Sequence, residues 1–377
     1  MINRRWVAVA SGAAGVLLTL GCGPEFHLYS PSTSSGEGGG GAANATMSAS
    51  STGDGGNMNN TPCTVGNLST CSQGNYCQSS TKQCVPCANI SARFVFGVPK
   101  KLNITLPQGG TNPRLVRMVP GGQLLFTYDS PLTLGDIGHA DPDGFLQWKQ
   151  GVQEPPPITS TLDESAPLYL PKGTALKDVL ATPAAVKPDL DVILYTSRTS
   201  GTPQVYAFNP PGRTGTTTSL IALGGGLSTS NLAVSYDTSA PRFWFSTNLN
   251  STSESLYTAL PKETPQPLPI KLDNDCLLQT PAVAPWVSPD GTWLLFGAQR
   301  PDANTNCTLD PNAPSRLYYA QLDPKTGLQM DSTKATQISS DNSKSYTFPS
   351  LALDMCVLLF SDMVSSSMWE SYASVRE

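Results

Sequence analysis

The sequence predicts an all-β fold: a β-propeller of five blades, closed by an N-terminal strand and preceded by a small disulfide-rich module. Three observations lead there. First, the 377-residue chain holds 33 Gly and 33 Pro but only 14% charged residues, against ~25% in ordinary soluble proteins. That composition suits many short strands joined by turns. Second, residues 281–300, PAVAPWVSPDGTWLLFGAQR, run an apolar strand into a second one across the turn Ser288-Pro289-Asp290-Gly291. Pro has its φ already set, Asp can bond its own backbone and Gly tolerates positive φ. Third, this unit recurs.

Aligned on the aromatic that ends the second strand, Val119-Pro120-Gly121-Gly122 leads to Leu124-Leu125-Phe126, and Lys187-Pro188-Asp189 to Ile193-Leu194-Tyr195. Tyr236-Asp237 leads to Phe243-Trp244-Phe245, and Leu353-Asp354 to Leu358-Leu359-Phe360. Asp recurs at the turn in every copy but the first, where Pro120 replaces it. A small residue or Thr follows the aromatic: Thr127, Thr196, Ser246, Gly297, Ser361. Third strands are expected at Phe145–Trp148, Val205–Phe208, Leu256–Thr258, Leu317–Tyr319 and Ser371–Ala373. Fainter fourth strands lie at Ser219–Leu223, Leu268–Leu272 and Thr336–Ser339. Repeats of four short strands every ~40–50 residues are the signature of radial sheets. The last repeat has no fourth strand of its own, and Leu102–Leu106 is expected to supply it, hiding both edges. The interval from Trp148 to Val186 leaves room for a sixth blade, although Ser165–Lys177 lacks the core pattern. A β-sandwich is the competing architecture.

The pattern P-x-x-S-P-D-G followed by an apolar pair and Phe resembles the blade core of TolB-like (WD40-like) β-propellers. The resemblance covers the repeats in 94–377 and implies the propeller fold. No partner domain of TolB is evident, so its cellular role is not implied.

The N-terminus has a different logic. Arg4 and Arg5 precede a largely apolar run, Trp6 to Leu20, that closes on Thr19-Leu20-Gly21-Cys22. Residues 1–22 thus resemble a bacterial lipoprotein signal peptide. The resemblance implies cleavage before Cys22, lipidation of that residue and a membrane anchor. With Gly23 in place of Asp, the same resemblance implies the outer membrane of a Gram-negative bacterium, facing the periplasm or the cell surface. An ordinary signal peptide is the alternative. Residues 23–62 are poor in large apolar side chains and cannot offset the entropy of ordering. They read as a flexible tether with an r.m.s. span of roughly 35 Å.

Residues 63–90 hold Cys63, Cys71, Cys77, Cys84 and Cys87 among turn residues, a short segment that needs covalent staples. Cys84-Val85-Pro86-Cys87 is a lone C-x-x-C with neither a second pair nor histidines, so a zinc site is not expected. Because five is odd, one of these thiols needs a distant partner, for which Cys356 is the candidate. In a propeller, Cys276 and Cys307 emerge on one face beside the same blade and are expected to pair. Nine cysteines behind an export signal suit an oxidising compartment.

A formal net charge of −5 gives no basic footprint and excludes nucleic acid as a partner. The chain has no G-x-S-x-G elbow, H-E-x-x-H or P-loop. His139, the only histidine of the repeats, falls in Asp136–Gly144 and reads as a surface-loop residue. Asp141–Gly144 and Asp302–Asn306 carry only fragments of a calcium loop. No catalytic residue, metal or cofactor is therefore assigned. The expected function is a membrane-anchored envelope lipoprotein whose propeller is a non-catalytic platform for a protein or glycan. The alternative is a propeller enzyme, hydrolase or lyase, acting on extracellular glycans or peptides. Ligand is expected on the face of the blade-connecting loops, at Arg198, Asn248, Arg300 and Asp302.

Overall fold

A computed structural model describes residues 63–64, 71, 75–78, 81–87 and most of 94–377; residues 1–62 lie outside it, as do the loops 155–162, 199–202, 210–218, 222–229, 237–240, 248–254, 279–282 and 339–343. The signal segment with Cys22, the tether and Asn248 thus fall outside the described residues.

Five four-stranded antiparallel sheets stand around one axis. Blade 1 consists of Thr111–Met118, Leu124–Asp129, Asp136–Ala140 and Val152–Gln153. Blade 2 is Glu164–Leu170, Val192–Ser197, Gln204–Phe208 and Ser219–Leu220, and blade 3 is Ser230–Ser235, Arg242–Thr247, Ser255–Ala259 and Gln266–Pro267. Blade 4 is Val283–Val287, Trp293–Gln299, Ser315–Gln321 and Thr336–Gln337. Blade 5 takes Tyr346–Ala352, Val357–Ser365 and Met368–Val375 from the C-terminus, and Lys100–Lys101 from the N-terminal side as its fourth strand.

The ring closes two residues earlier than the sequence suggests. Lys101 pairs with Tyr372 and Lys100 with Ala373. Leu102 is buried, and the chain beyond it runs across to blade 1, where the Thr105 carbonyl accepts from Gly151 N at 2.6 Å. Among the described residues there is no sixth blade: the interval before Val186 holds the inner strand of blade 2, and 171–191 is a long connection with a 3₁₀ turn at Pro183–Ala185 and an isolated bridge from Leu180 to Ile221.

Blade 1 departs further. Its third strand is Asp136–Ala140, and the expected segment Phe145–Trp148 belongs to a small hairpin, Pro142–Gly144 with Gln147–Trp148. His139 is therefore not a loop residue. It is 2% exposed, and its Nδ1 lies 2.7 Å from Glu154 Oε1. The loop reading failed because polar Asp136, Gly138 and His139 mask a strand that is buried at all five positions.

Each innermost strand bulges at the same place. The register shifts between Arg114 and Arg117, Ser165 and Leu168, Ser230 and Ala233, Val283 and Trp286, and Thr347 and Ser350. The first residue within each shift is left-handed: Leu115, Ala166, Asn231, Ala284 and Phe348 all have φ of 52–55°. Non-glycine residues rarely adopt such backbone; five equivalent copies make it a property of the architecture. In three blades a proline follows (Pro167, Pro285, Pro349), and its missing N–H costs little where the ladder is already broken.

The recurring small residue of the second strand now has a cause. Thr127 Oγ1 accepts a hydrogen bond from Ala166 N at 3.1 Å, holding the bulge of the next blade. At Gly297 an added Cβ would sit 3.2 Å from Thr347 Cα and 3.4 Å from Tyr346 O. Neighbouring blades approach here backbone to backbone. The turn Ser288–Gly291 is equally structural: Asp290 Oδ1 accepts from Ser288 Oγ at 2.5 Å and Thr292 N at 3.1 Å, and Ser288 Oγ accepts from Trp293 N at 2.9 Å.

Disulfides join Cys63 to Cys77, Cys71 to Cys84, Cys87 to Cys356 and Cys276 to Cys307. Cys87–Cys356 clamps the N-terminal module onto blade 5. Beside it the Arg376 guanidinium lies 5.1 Å from the ring centre of Tyr76 and 4.9 Å from that of Phe94, and bonds to the Cys87 carbonyl.

Candidate functional site

The bulges decide what the axis holds. Leu115, Ala166 and Ala284 form one buried cluster with Phe348 packed against it, so the inner strands meet in an apolar plug. On the side of the turns between first and second strands, the strands part to leave a cavity of about 320 Å³. All five blades wall it. The position just past each bulge contributes Arg117, Leu168, Ala233, Trp286 and Ser350, and Tyr169 and Tyr236 add aromatic surface.

Arg117 is the unusual member of that layer. It is 6% exposed, and its Nη2 reaches toward the Pro285 carbonyl of blade 4 at 3.4 Å. Blades 1 and 4 are not neighbours, so the guanidinium lies across the axis on top of the plug. Its Nε and Nη1 are buried without a hydrogen-bond partner, and no ion pair to it is seen among the described residues. Burial alone pulls its pKa down to about 10. A guanidinium buried without a counter-charge is costly.

The rest of the lining is chemically sparse. Ser350 Oγ is occupied, donating to the Val116 carbonyl at 2.9 Å. Burial, and then the neighbouring carboxylate of Asp191 to which it donates a hydrogen bond, push the Tyr169 phenol well above its usual range. No carboxylate lines the cavity among the described residues. Val85 of the N-terminal module packs against the same apolar cluster as Met118 and Met355, two cavity-lining residues.

The residues singled out from sequence lie elsewhere, at the opposite end of the second strands. Arg198 donates its backbone N–H to Asp163 O at 3.2 Å. Arg300 is held by Asp273 at 2.8 Å and Gln337 at 3.2 Å, and exposed Asp302 forms an isolated bridge with Thr308. None of the three lines the axial cavity, and they do not converge. Cys63, Cys71 and Cys84 bring their sulfurs within 4.8 Å of one another, but all are spent in disulfides, which leaves no thiolate for a metal.

No family model matches the chain, and no curated protein matches it in sequence. Solved propellers do. A β-fructofuranosidase from Schwanniomyces occidentalis in complex with fructosyl-erythritol aligns at 11% identity and a TM-score of 0.45, covering 76% of this chain and 60% of that one. The chain thus spans less than two thirds of that relative. A native arabinanase from Bacillus subtilis aligns at 11% identity with a TM-score of 0.43, covering 70% and 95%. A structure described as TolB from Agrobacterium tumefaciens aligns at 12% and 0.36, covering 66% and 69%. At these values the likeness is one of fold and carries neither substrate nor catalytic residues. Against the expectation of a non-catalytic platform, the similar structures include ones described as a β-fructofuranosidase and an arabinanase.

Proposed function

We propose that the chain is an enzyme that cleaves extracellular glycans, with the axial cavity as its substrate site. One observation carries this reading: the cavity joins an aromatic wall of Trp286, Tyr169 and Tyr236 to a buried, uncompensated cation, Arg117. Concave, mostly apolar pockets with a few convergent polar groups are the usual seat of small-ligand chemistry, and aromatic side chains offer sugars an apolar face with a polar tip.

The groups present favour elimination over hydrolysis. Glycoside hydrolysis ordinarily works with two carboxylates flanking the bond, and the described lining offers none. It offers a guanidinium to neutralise charge developing beside a carbonyl and two phenols to carry protons. The Tyr169 phenol, bonded to Asp191 and shifted up, suits the donor role toward a leaving oxygen, and Tyr236 takes the substrate proton as its phenolate.

In the same reading the protein is a lipoprotein. Cys22 carries the lipid, the outer membrane holds it, and residues 23–62 lift the propeller off the surface. Metabolic labelling with a fatty-acid analogue tests this part: Cys22→Ser abolishes incorporation, and persistent labelling of the variant refutes the anchor. The enzymatic part is tested by following new chain ends released from purified polysaccharides. Trp286→Ala and Tyr169→Phe should each lower the rate at least tenfold while the chain stays folded.

A further inference from the structure

We infer that Arg117 makes the axial cavity a site for an acidic sugar, one whose carboxylate or sulfate group docks on the guanidinium while its ring lies against Trp286. The sugar half of this rests on the glycan reading above; the anion half stands on geometry alone.

Arg117 is the only charged side chain in the described lining. Its stem comes from blade 1, and Nη2 is tethered weakly to the Pro285 carbonyl. Nε and Nη1 have no protein partner; each forms a two-nitrogen face with Nη2, whose one bond is the long contact to the Pro285 carbonyl. The guanidinium fork matches a planar carboxylate or a sulfate in two parallel hydrogen bonds. Its equivalents in the other blades are Leu168, Ala233, Trp286 and Ser350, none of them ionisable, so nothing in that layer compensates the charge. A folding role would call for a carboxylate here or an apolar side chain. The same layer in blade 4 holds Trp286, which also lines the cavity. The volume of about 320 Å³ is at the small end of ligand pockets, ~300–1,000 Å³, which suits one sugar ring.

Titration calorimetry on the full disulfide-bonded chain, with D-glucuronate, D-glucose and inorganic sulfate as probes, tests the assignment. Glucuronate should bind one to one, with glucose at least tenfold weaker. Arg117→Met should lose at least tenfold in glucuronate affinity and leave glucose unchanged, whereas Arg117→Lys, which keeps charge without the fork, should fall between. Displacement of glucuronate by sulfate supports a sulfated sugar as natural ligand; failure to displace supports a uronate. Equal affinity for glucose and glucuronate, or an Arg117→Met chain that is folded and binds glucuronate as before, overturns the inference. The two readings fail separately. A chain that binds glucuronate through Arg117 but cleaves no glycan removes the enzyme and keeps the anion site. A chain that cleaves neutral glycans with Arg117→Met fully active does the reverse.

Discussion

Replacing Arg117 by Met in the ligand-free protein should make it more stable. The side chain is buried, and the fall of its pKa from 12.5 to about 10 has burial as its only cause. At ~1.4 kcal/mol for each tenfold change in proton affinity, that fall corresponds to about 3 kcal/mol of destabilisation in the charged form. The sign is that of a depressed base. The folded state holds the proton less tightly than the unfolded state, so the cost is present in full at every pH below about 10 and is relieved only as pH rises from there toward the unfolded value. Met keeps most of the stem packing and removes the charge, the kind of exchange that is often stabilising by ~1–4 kcal/mol. What it forfeits is the weak bond to the Pro285 carbonyl, worth ~1 kcal/mol or less. The net expectation is a gain of about 1–3 kcal/mol at pH 7. Urea unfolding of the dialysed, oxidised protein measures it: the midpoint should rise with the slope unchanged. A loss of more than about 1 kcal/mol would mean that the guanidinium has a compensating partner and that the argument for an open anion site is mistaken.

Three further outcomes follow from the fold. Gly297→Val should destabilise by ~1–3 kcal/mol through overpacking, because blade 5 backbone lies 3.2 Å from the new Cβ; chemical denaturation reads it. Asp290→Ala should cost ~1–2 kcal/mol by stripping the turn of its acceptor while leaving turnover per folded molecule unchanged; a matched loss of turnover at full foldedness would give Asp290 a role in chemistry. Cys87→Ser with Cys356→Ser should lower stability by ~2–5 kcal/mol and expose the module to proteolysis near Cys87, since the clamp to blade 5 then rests on Arg376 and Tyr76; an unchanged digestion pattern would show that packing alone holds it.

The architecture was legible because it repeats. Five copies of turn, apolar pair and aromatic announced the second strands, and the small residue after the aromatic recorded close approach between blades before that approach could be seen, as Gly297 and Thr127 show. Elements that deviate from the repeat were not legible. Asp136–Ala140 is a buried strand written in polar and small residues, and the closing strand is two lysines. The candidate site was illegible for a different reason. Arg117, Tyr169 and Trp286 come from three first strands and Tyr236 from the residue just after a fourth, spaced without any local motif. Their convergence follows from ring closure and from the bulge that turns the position after it toward the axis. A signal was available: in the alignment of first strands, Arg117 is the sole ionisable residue at its position. Arg198, Arg300 and Asp302 stand at or just past the ends of second strands and do not line the cavity.

Turnover is the decisive property of this protein. Incubating the purified chain at micromolar concentration with a panel of acidic and neutral polysaccharides, and reading both new reducing ends and the ultraviolet absorbance of unsaturated products, tests it most directly. The prediction is cleavage of an acidic polymer with unsaturated ends, lost in Arg117→Met and Tyr169→Phe. No new ends on any polymer, or activity unchanged in both variants, would contradict it.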